Sequence, residues 1–318
     1  MTAGAALAFL PPDSFNVVVL AAVFILIALG LHFTFGLLNI VNLAHGEFLL
    51  IGAYTAFQVQ AATGNVVVGI VLAPVVAATI GILMERGVLR SLYDRPLDSL
   101  LATFGLAVIT RQAVQLIFSA NPRTVTDPIG GSITVAGLIV PWWRLVIVIA
   151  TVALVALASA ILARTSFGLR ARATVRNPAL AETMGINVGV MRAALFALGS
   201  AIAGLAGALL GPINTLDPQF GLLFLVNAFL VVILGGQGSL RGLVIAGAVL
   251  GGSLAVLQFF ISTVYAQIIV LVIAIVGVRL RPRLGEWSAA RRGRRSSAPR
   301  AGAGSAGTGV MGGAPRRG

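Results

Sequence analysis

Four polar side chains stand close together in an otherwise apolar stretch near the start of the chain. They are Asn39, Asn42, His45 and Glu47, within the sequence GLLNIVNLAHGEFLLIGAYTAF that runs from Gly36 to Phe57. Amide, imidazole and carboxylate groups at membrane depth are costly, so they face protein or water and are functional candidates. The four residues therefore form the first part of a candidate translocation path.

Two interpretations of this group are open. Asn39, Asn42 and His45 follow at three-residue steps and would lie on one side of a helix, whereas Glu47 would point elsewhere. The group either caps a broken helix, with its members hydrogen-bonded to one another, or contacts the transported solute. A metal site is only weakly indicated, because His45 and Glu47 supply two ligands with no third nearby.

The composition of the chain defines the environment of these residues. With 58% hydrophobic and 10% charged residues, the 318-residue chain has too little polar surface for a soluble globule. Cysteine is absent, which excludes disulfides and cysteine chemistry. All basic residues are arginines and ten of them lie from Arg279 onward, so the net charge of +13 describes mainly a tail and does not indicate nucleic-acid binding.

The apolar segments predict an all-α polytopic membrane protein with eight or nine transmembrane segments, some of them short or discontinuous. We expect an exterior N-terminal segment at 1–14, a transmembrane permease domain at 15–282 and a disordered Arg/Gly/Ala-rich cytoplasmic tail at 283–318. The tail is also expected to lie near anionic membrane lipid because of its arginines.

Arginine-rich loops predict the orientation. Residues 85–100 and 164–192 hold most of the arginines outside the tail, which places both loops in the cytoplasm, with the N-terminus outside and the C-terminus inside. The connection GPINTLDPQFG is then exterior and adds Asn214 and Asp217 to the candidate path. Asp217 could equally cap the segment that follows.

The interval from Arg164 to Arg192 is the longest polar stretch within the apolar part of the chain. Its middle reads as a short helix: Asn177 suits the N-cap, Pro178 the first helical position and Gly185 the C-terminal stop. Such a helix between two spans is an element on which a soluble partner could push. The alternative is an ordinary positively charged loop that fixes the topology.

A ladder of small residues follows at four-residue spacing, formed by Gly199, Ala203, Gly207 and Gly211. This pattern allows another helix backbone to approach closely. Packing within the chain is favoured over a subunit interface.

The chain resembles a known family through the stretch that contains Asn39 and through three further segments: MGINVGVMRAALFALGSAIAGLAGALLGP, NAFLVVILGGQGSLRG and RLRPRLGEW. It resembles LivH-type permeases, the membrane subunits of bacterial ABC importers for branched-chain amino acids and of their urea-importing relatives, from about Val18 to Trp287. The segments ERGVLRSLYDRPLDSLLATFGL, RNPALAETMGI and AFLVVILGG look more like the urea branch.

This resemblance implies a transport subunit in the bacterial inner membrane and not an enzyme. Its implied partners are a second related permease, two cytoplasmic ABC ATPases and a periplasmic solute-binding protein. ATP is expected on the ATPases, because the chain has no Walker A sequence, and no cofactor is expected in this chain.

The resemblance also implies an ATPase-coupling loop. The residues assigned to it are Arg172, Asn177, Pro178, Glu182 and Gly185. The usual importer pattern of Glu-Ala-Ala, three residues and Gly carries over only at Glu182 and Gly185, with a shortened spacing.

Two other classes compete with this interpretation. A channel or secondary transporter would need no ATPase, and proton- or sodium-driven transport would favour buried acids on several spans, whereas Glu47 is the one acid expected at membrane depth. An intramembrane enzyme would need converging reactive groups, and the chain has two histidines, no cysteine and no paired carboxylates.

Overall fold

A computed structural model describes residues 15–93, 95–135 and 138–296. The predicted exterior segment at 1–14 and the last part of the predicted tail, 297–318, lie outside the described residues. The chain consists of two compact units, Met1–Val278 and Arg279–Gly318. The first unit is a helical bundle. The described residues of the second unit, 279–296, are helical. Residues 283–296 belong to the segment for which the sequence predicts disorder.

The described part of the first unit contains long helices, a β-hairpin and short helical turns. The first five helices are α1 (Phe15–Leu31), α2 (His45–Thr63), α3 (Val66–Gly87), α4 (Pro96–Phe118) and α5 (Trp142–Arg164). They are followed by α6 (Ser166–Arg176), α7 (Pro178–Thr183), α8 (Val188–Leu210), α9 (Phe220–Gly235), α10 (Leu240–Gln258) and α11 (Thr263–Ser296). The hairpin pairs β1 (Ser132–Val135) with β2 (Leu138–Pro141) in antiparallel register.

Within the described residues, six helices are long and apolar enough to cross a membrane. They are Phe15–Leu37, Val66–Gly87, Pro96–Phe118, Trp142–Arg164, Val188–Ile213 and Leu240–Gln258. The described residues also contain two shorter apolar helices, Phe220–Gly235 and Thr263–Arg279. The polytopic membrane class is confirmed, whereas the number of eight or nine crossings stays a prediction.

Helix α8 lies at the centre of the bundle because its small residues let α1, α2 and, at Gly204, α3 approach. Gly199 faces Gly30 of α1, where an added Cβ would stand 2.7 Å from the Gly30 carbonyl oxygen. Gly207 lies against the backbone of Leu49 in α2, and Ala203 is fully buried. The ladder predicted from the sequence therefore lies inside the chain's own bundle, where its last member, Gly211, lies beside Val125 in the connection after α4.

The connections of the bundle gather at two ends. Arg123, after α4, and Leu216, before α9, exchange both backbone hydrogen bonds at 2.8 Å, which brings the hairpin and the 211–219 connection to one end, here called the hairpin end. The 85–95 and 164–187 connections lie together at the other end, the arginine end, where Arg192 stacks on Tyr93. The same-side placement of the two arginine-rich loops is thus confirmed.

The two tryptophans before α5 differ in their surroundings. Trp142 is 38% exposed, as an anchor at a membrane interface would be, but Trp143 is only 4% exposed. The indole Nε1–H of Trp143 donates to the carbonyl of Leu209 at 2.9 Å, so this ring ties α5 to α8. The sequence indicates that both rings anchor the helix at the membrane interface; the structure shows that Trp143 packs inside the bundle, whereas its depth in the membrane stays a prediction.

We expect Gly52→Ala to destabilise the bundle. A methyl group at Gly52 would overlap the backbone carbonyl of Gly204 in α8, and neither backbone can give way without separating the two helices. Overpacking of this kind costs about 1–3 kcal/mol. Thermal unfolding of the purified protein in detergent measures the loss.

The matched control for this variant is Gly105→Ala. Gly105 lies inside α4, and no heavy atom stands within 4 Å of an added Cβ. Its replacement should leave stability unchanged or raise it by up to about 1 kcal/mol, because alanine favours a helix. Equal melting temperatures for the two variants would contradict the close α2–α8 contact.

Candidate translocation path and coupling surface

The chain is not helical between Leu38 and Ala44, within the apolar part of the bundle. Helix α1 first widens into a π-helical turn at His32–Leu37, and Asn39 then adopts a left-handed conformation with φ of 57°. Short π-helical segments are common at functional sites. The break therefore separates α1 from α2 at a point where the chain changes direction.

Side chains supply the hydrogen bonds that this broken segment lacks. The hydroxyl of Thr103 in α4 accepts from the amide of Leu43 at 3.2 Å and lies 3.4 Å from the carbonyl of Val41. The Asn42 side-chain oxygen accepts from the amide of Ala44 at 3.0 Å. Asn42 is completely buried, and its bond to Ala44 lies within the break.

His45 shows how deep the start of α2 lies. Its ring Nε2 stands 3.2 Å from the carbonyl of Ile27, a residue in the middle of the apolar span Phe15–Leu37. Gly30 makes room for the ring, since an added Cβ would be 3.0 Å from His45 Cε1. Helix α2 thus begins near the level of the centre of that span and not at its end.

Glu47 and Arg111 form an ion pair between α2 and α4. Their side chains are 2% and 18% exposed. Glu47 Oε2 and Arg111 Nε are both buried without a hydrogen-bond partner among the described residues. Of the two roles open to Arg111 in the sequence, snorkelling or pairing with another helix, the structure shows pairing.

The polar residues near the break do not converge on one point. The side-chain nitrogen Nε2 of Gln237, in the turn between α9 and α10, donates to Asn39 Oδ1 at 3.0 Å. Asn42 is bonded within the break, His45 contacts α1 and Glu47 pairs with α4. The hydrogen bonds found for these four lead to different elements and none joins two of them, so the predicted mutual hydrogen bonding is not observed.

The two exterior candidates lie in the connection at the hairpin end. Asn214 donates from its side chain to the carbonyl of Leu210 at 2.9 Å. Asp217 Oδ1 accepts from the amide of Gln219 at 2.7 Å, next to the start of α9. Both contacts shape the connection, and the capping role considered for Asp217 is not observed, because its bond goes to Gln219, the residue before α9. A role in the path stays a prediction for all six candidates.

A groove between α2 and α4 was not anticipated from the sequence. It has a volume of about 270 Å³ and lies on the faces of α2 and α4 that continue toward the hairpin end from the Glu47–Arg111 pair. Its lining residues are Ile51, Tyr54, Thr55, Gln58, Val59, Val114 and Phe118. The spacing of Glu47, Ile51, Tyr54 and Gln58 along one helix face was the sequence signal that could have indicated it.

The short helix at the arginine end has the caps that the sequence predicts. Asn177 Oδ1 accepts from the amide of Leu180 at 3.0 Å, and Pro178 is the first residue of α7. Gly185 follows the helix with φ of 78°, a conformation that a side chain disfavours. Asn187 then caps α8 by accepting from Val190 at 3.0 Å.

Around these caps lies an exposed surface of mixed character, here called the α7 surface. Leu180 is 57% and Met184 71% exposed, and Glu182 is exposed between them. Arg170 and Arg176 of α6 are exposed nearby along the chain. Arg172 instead donates to the carbonyl of Leu162 and so fixes α6 against the end of α5.

A cluster of three side chains joins the loop after α3 to the base of α8. The Tyr93 hydroxyl donates to Glu85 Oε1 at 2.9 Å, and the Arg192 guanidinium lies 4.4 Å from the Tyr93 ring centre. Burial, and then the Glu85 carboxylate, raise the pKa of the Tyr93 hydroxyl well above its usual range, so the phenol keeps its proton. These contacts therefore connect the first turns of α8 to the end of α3.

The described residues contain no group of three or more His, Asp or Glu side chains placed to hold a metal ion. What they do contain is a bundle of apolar helices with a break and an ion pair inside it, and an exposed helical turn at one end. These features define a polytopic helical membrane protein.

Comparison with known families identifies the particular kind. Residues 14–278 match the family described as "Branched-chain amino acid transport system / permease component", and the chain belongs to this family. The match ends at the residue where the first compact unit ends. No solved structure matches the chain.

Several curated relatives carry related names. The high-affinity branched-chain amino acid transport system permease protein LivH of Escherichia coli K12 is 29% identical over 84% of this chain and 92% of the relative. The corresponding permease BraD of Pseudomonas aeruginosa is 27% identical over 74% of this chain and 82% of its own length. A probable LivH of Methanocaldococcus jannaschii is 27% identical over 81% and 86%.

We expect Arg111→Leu to destabilise the protein by about 3–5 kcal/mol, the usual cost of leaving one member of a buried ion pair alone. The Glu47 carboxylate would then stay buried beside α4 without its cation. The double variant Glu47→Leu/Arg111→Leu should recover most of this loss, because neither charge remains. Thermal unfolding of the purified variants in detergent tests both statements.

The control for the single variant is Gln112→Leu, which changes the next residue of α4, an exposed one. It should unfold at nearly the parental temperature. A double variant no more stable than Arg111→Leu would mean that the loss does not come from an unpaired charge.

Proposed function

We propose that this protein is the membrane-spanning permease subunit of an ATP-driven importer for branched-chain amino acids. The observation that carries the proposal is the family match, which spans residues 14–278 and thus the whole described helical bundle of the first unit. The names of the relatives from three genera support the same substrate class. The importer context supplies the energy source, because ABC importers hydrolyse ATP on separate subunits.

The proposed partners are a second related permease, two ABC ATPases and a solute-binding protein. A Walker A sequence ends in Lys followed by Ser or Thr, and this sequence contains no lysine. ATP would therefore bind on the partner ATPases. The positive-inside rule supports a cytoplasmic arginine end, with the N-terminus outside and the C-terminus inside the inner membrane.

The α7 surface is the proposed docking site for an ATPase. Leu180 and Met184 are large apolar side chains exposed in a polar connection between membrane helices, where lipid tails do not cover them. Arg170 and Arg176 add positive charge beside them. A complementary ATPase surface would combine an apolar pocket with acidic residues at its rim.

Transmission from this surface follows from the rigid contacts next to it. A displacement of α7 acts on the Gly185 turn and then on α8, which begins immediately afterwards at Val188. Arg192, Tyr93 and Glu85 carry the displacement to α3. The mechanism is alternating access, in which each partner shifts the equilibrium only by its differential affinity for the two states.

Urea or a short amide is the second substrate class, and it rests on the segments that resemble urea permeases. Reconstitution in liposomes with the cognate ATPases and binding protein separates the two. We expect ATP-dependent uptake of leucine, isoleucine and valine, no uptake of urea, and no competition by urea in large excess. Urea uptake without leucine uptake would overturn the substrate assignment.

Liposomes that contain the permeases without the ATPases test the competing class of transporter. We expect no uptake above the level of empty vesicles, with or without an ion gradient. Sustained uptake under these conditions would mean that the protein is a channel or a secondary transporter.

Gly185→Val should uncouple ATP hydrolysis from uptake. A β-branched residue cannot readily adopt φ of 78°, so the turn between α7 and α8 would be rebuilt, while the described helices keep their packing. We expect uptake in the reconstituted importer to fall at least tenfold relative to the parental protein, with ATP hydrolysis retained.

The matched control is Gly87→Ala, at the same end of the molecule. An added Cβ at Gly87 would meet no heavy atom within 4 Å, and its φ is not in the left-handed region. Uptake should stay at the parental rate. A Gly185→Val importer that transports as fast as the control would refute the coupling role of this turn.

A further inference from the structure

The groove between α2 and α4 combines an apolar wall with unsatisfied polar groups. Ile51 and Val114 contribute aliphatic surface, and the rings of Tyr54 and Phe118 lie with their centres 4.9 Å apart. The Tyr54 hydroxyl is buried and has no hydrogen-bond partner among the described residues. Buried polar atoms are normally bonded, so this hydroxyl indicates a missing partner.

One helical turn closer to the arginine end, the same two helix faces carry the ion pair. Glu47 lies four residues before Ile51, and Arg111 lies three residues before Val114. At a rise of 1.5 Å per residue, Glu47 lies roughly 6 Å and Arg111 roughly 4.5 Å along its helix from the groove wall. The pair, here called the floor, therefore lies about one helical turn below the residues that line the groove.

The floor contains one hydrogen-bond acceptor and one hydrogen-bond donor that have no partner among the described residues. Glu47 uses Oε1 for Arg111, and its Oε2 is buried without a partner in the described part of the chain. Arg111 uses one terminal nitrogen for Glu47, and its Nε is likewise unpartnered. One carboxylate oxygen without a donor and one guanidinium nitrogen without an acceptor therefore belong to the same ion pair.

We propose that this groove is a substrate-binding site inside the permease, in which Arg111 holds the carboxylate and Glu47 the ammonium group of an aliphatic amino acid. The inference rests on the proposed function, since it names the place where that substrate pauses on its way through. The aliphatic side chain lies against Ile51, Val114 and Phe118. The Tyr54 hydroxyl provides a third polar contact.

Charge complementarity is what selects this occupant. Separating a buried ion pair is costly unless each charge gains a new partner. An amino-acid zwitterion has its ammonium and carboxylate groups attached to the same carbon. It therefore supplies a partner for Glu47 and a partner for Arg111 at once. A neutral amide such as urea offers no net charge to either side chain, so it gives no comparable compensation for opening the pair.

The same exchange keeps the affinity low, as a path requires. Binding replaces the Glu47–Arg111 contact with two contacts to the ligand, so the net gain is smaller than the gross interaction. When the ligand leaves, the two side chains pair again. The site is thus occupied briefly and closes behind the substrate.

A photoreactive ligand tests the site in the complete importer. The probe is a leucine analogue with a diazirine in its side chain, added to liposomes that contain the permeases, ATPases and binding protein. After illumination, mass spectrometry of the permease locates the adducts. We expect them on Ile51, Tyr54, Val114 or Phe118, with competition by leucine.

Variants of the floor distinguish binding from a structural role. Glu47→Gln and Arg111→Gln should each reduce groove adducts about tenfold or more, the effect of losing one charge-assisted contact. The double variant Glu47→Gln/Arg111→Gln keeps a hydrogen-bonded pair without charges. It restores the adducts if the pair is only structural, and fails to restore them if the pair binds the zwitterion.

Two further variants keep the test decisive when a floor variant does not fold. Thr55→Phe adds a ring at a half-buried position that lines the groove and leaves the ion pair untouched, so it should lower the adducts about tenfold. Leu116→Ala changes an 85% exposed residue of α4 and should leave them unchanged.

The outcomes separate this inference from the proposed function. Leucine uptake with adducts only outside the groove, or with parental adducts in Thr55→Phe, overturns the site and leaves the function standing. Uptake of urea without uptake of leucine overturns the function itself. Leucine uptake with groove adducts that are lost in Thr55→Phe, and in every floor variant that folds, supports both.

Discussion

Backbone N–H and C=O groups at membrane depth must be bonded within the protein, and the first part of this fold is built around that constraint. The break at 38–44 leaves such groups without helical partners. Thr103 of α4 and the side chain of Asn42 bond several of them, and the turn that contains Gln237 holds Asn39. A non-helical segment between α1 and α2 is stable here because other elements complete its hydrogen bonds.

The constraint also explains why α2 starts where it does. Once the break is bonded in place, His45 lies beside Ile27, and the first turn of α2 falls within the depth of a neighbouring span. Glu47 is consequently placed away from water and needs Arg111 as its partner. Discontinuous helices of this kind often lie near the substrate path of transporters, which is why the groove beside Glu47 is the place to look for a ligand.

Packing divides the bundle into a tight centre and a lightly held helix. Glycines at 30, 52, 199, 204 and 207 bring the backbones of α1, α2 and α8 into direct contact. Many side chains of α4 are exposed, and Thr103 and Arg111 supply polar contacts that join it to the break and to α2. A substrate that separates Arg111 from Glu47 would therefore loosen α4 and not the glycine-packed centre.

At the arginine end a few contacts connect the α7 surface to two long helices, α8 and α3. Asn177, Gly185 and Asn187 define α7 and the start of α8 through local hydrogen bonds and backbone geometry. Tyr93 connects this region to α3 through Glu85 and Arg192. Burial, and then the Glu85 carboxylate, raise the pKa of Tyr93, so its hydroxyl remains a hydrogen-bond donor in this connection.

Much of the fold is determined by sequence features that act over short distances. Long apolar runs define the membrane helices, and Asn177, Pro178 and Gly185 define α7, because caps and turns depend on residues a few positions apart. The family resemblance is equally readable, since it rests on contiguous segments later matched over 14–278. The four-residue ladder of α8 likewise indicates close packing, although not which helices approach.

Only the tertiary structure decided how the polar residues are partnered. Glu47 pairs with a residue 64 positions away and Asn39 with one 198 positions away, so the regular spacing near the break gave no information about their contacts. The position of His45 beside Ile27 and the groove between α2 and α4 depend on how whole helices are rotated and shifted against each other. Many weak packing contacts fix those rotations together, and no local pattern of residues specifies them.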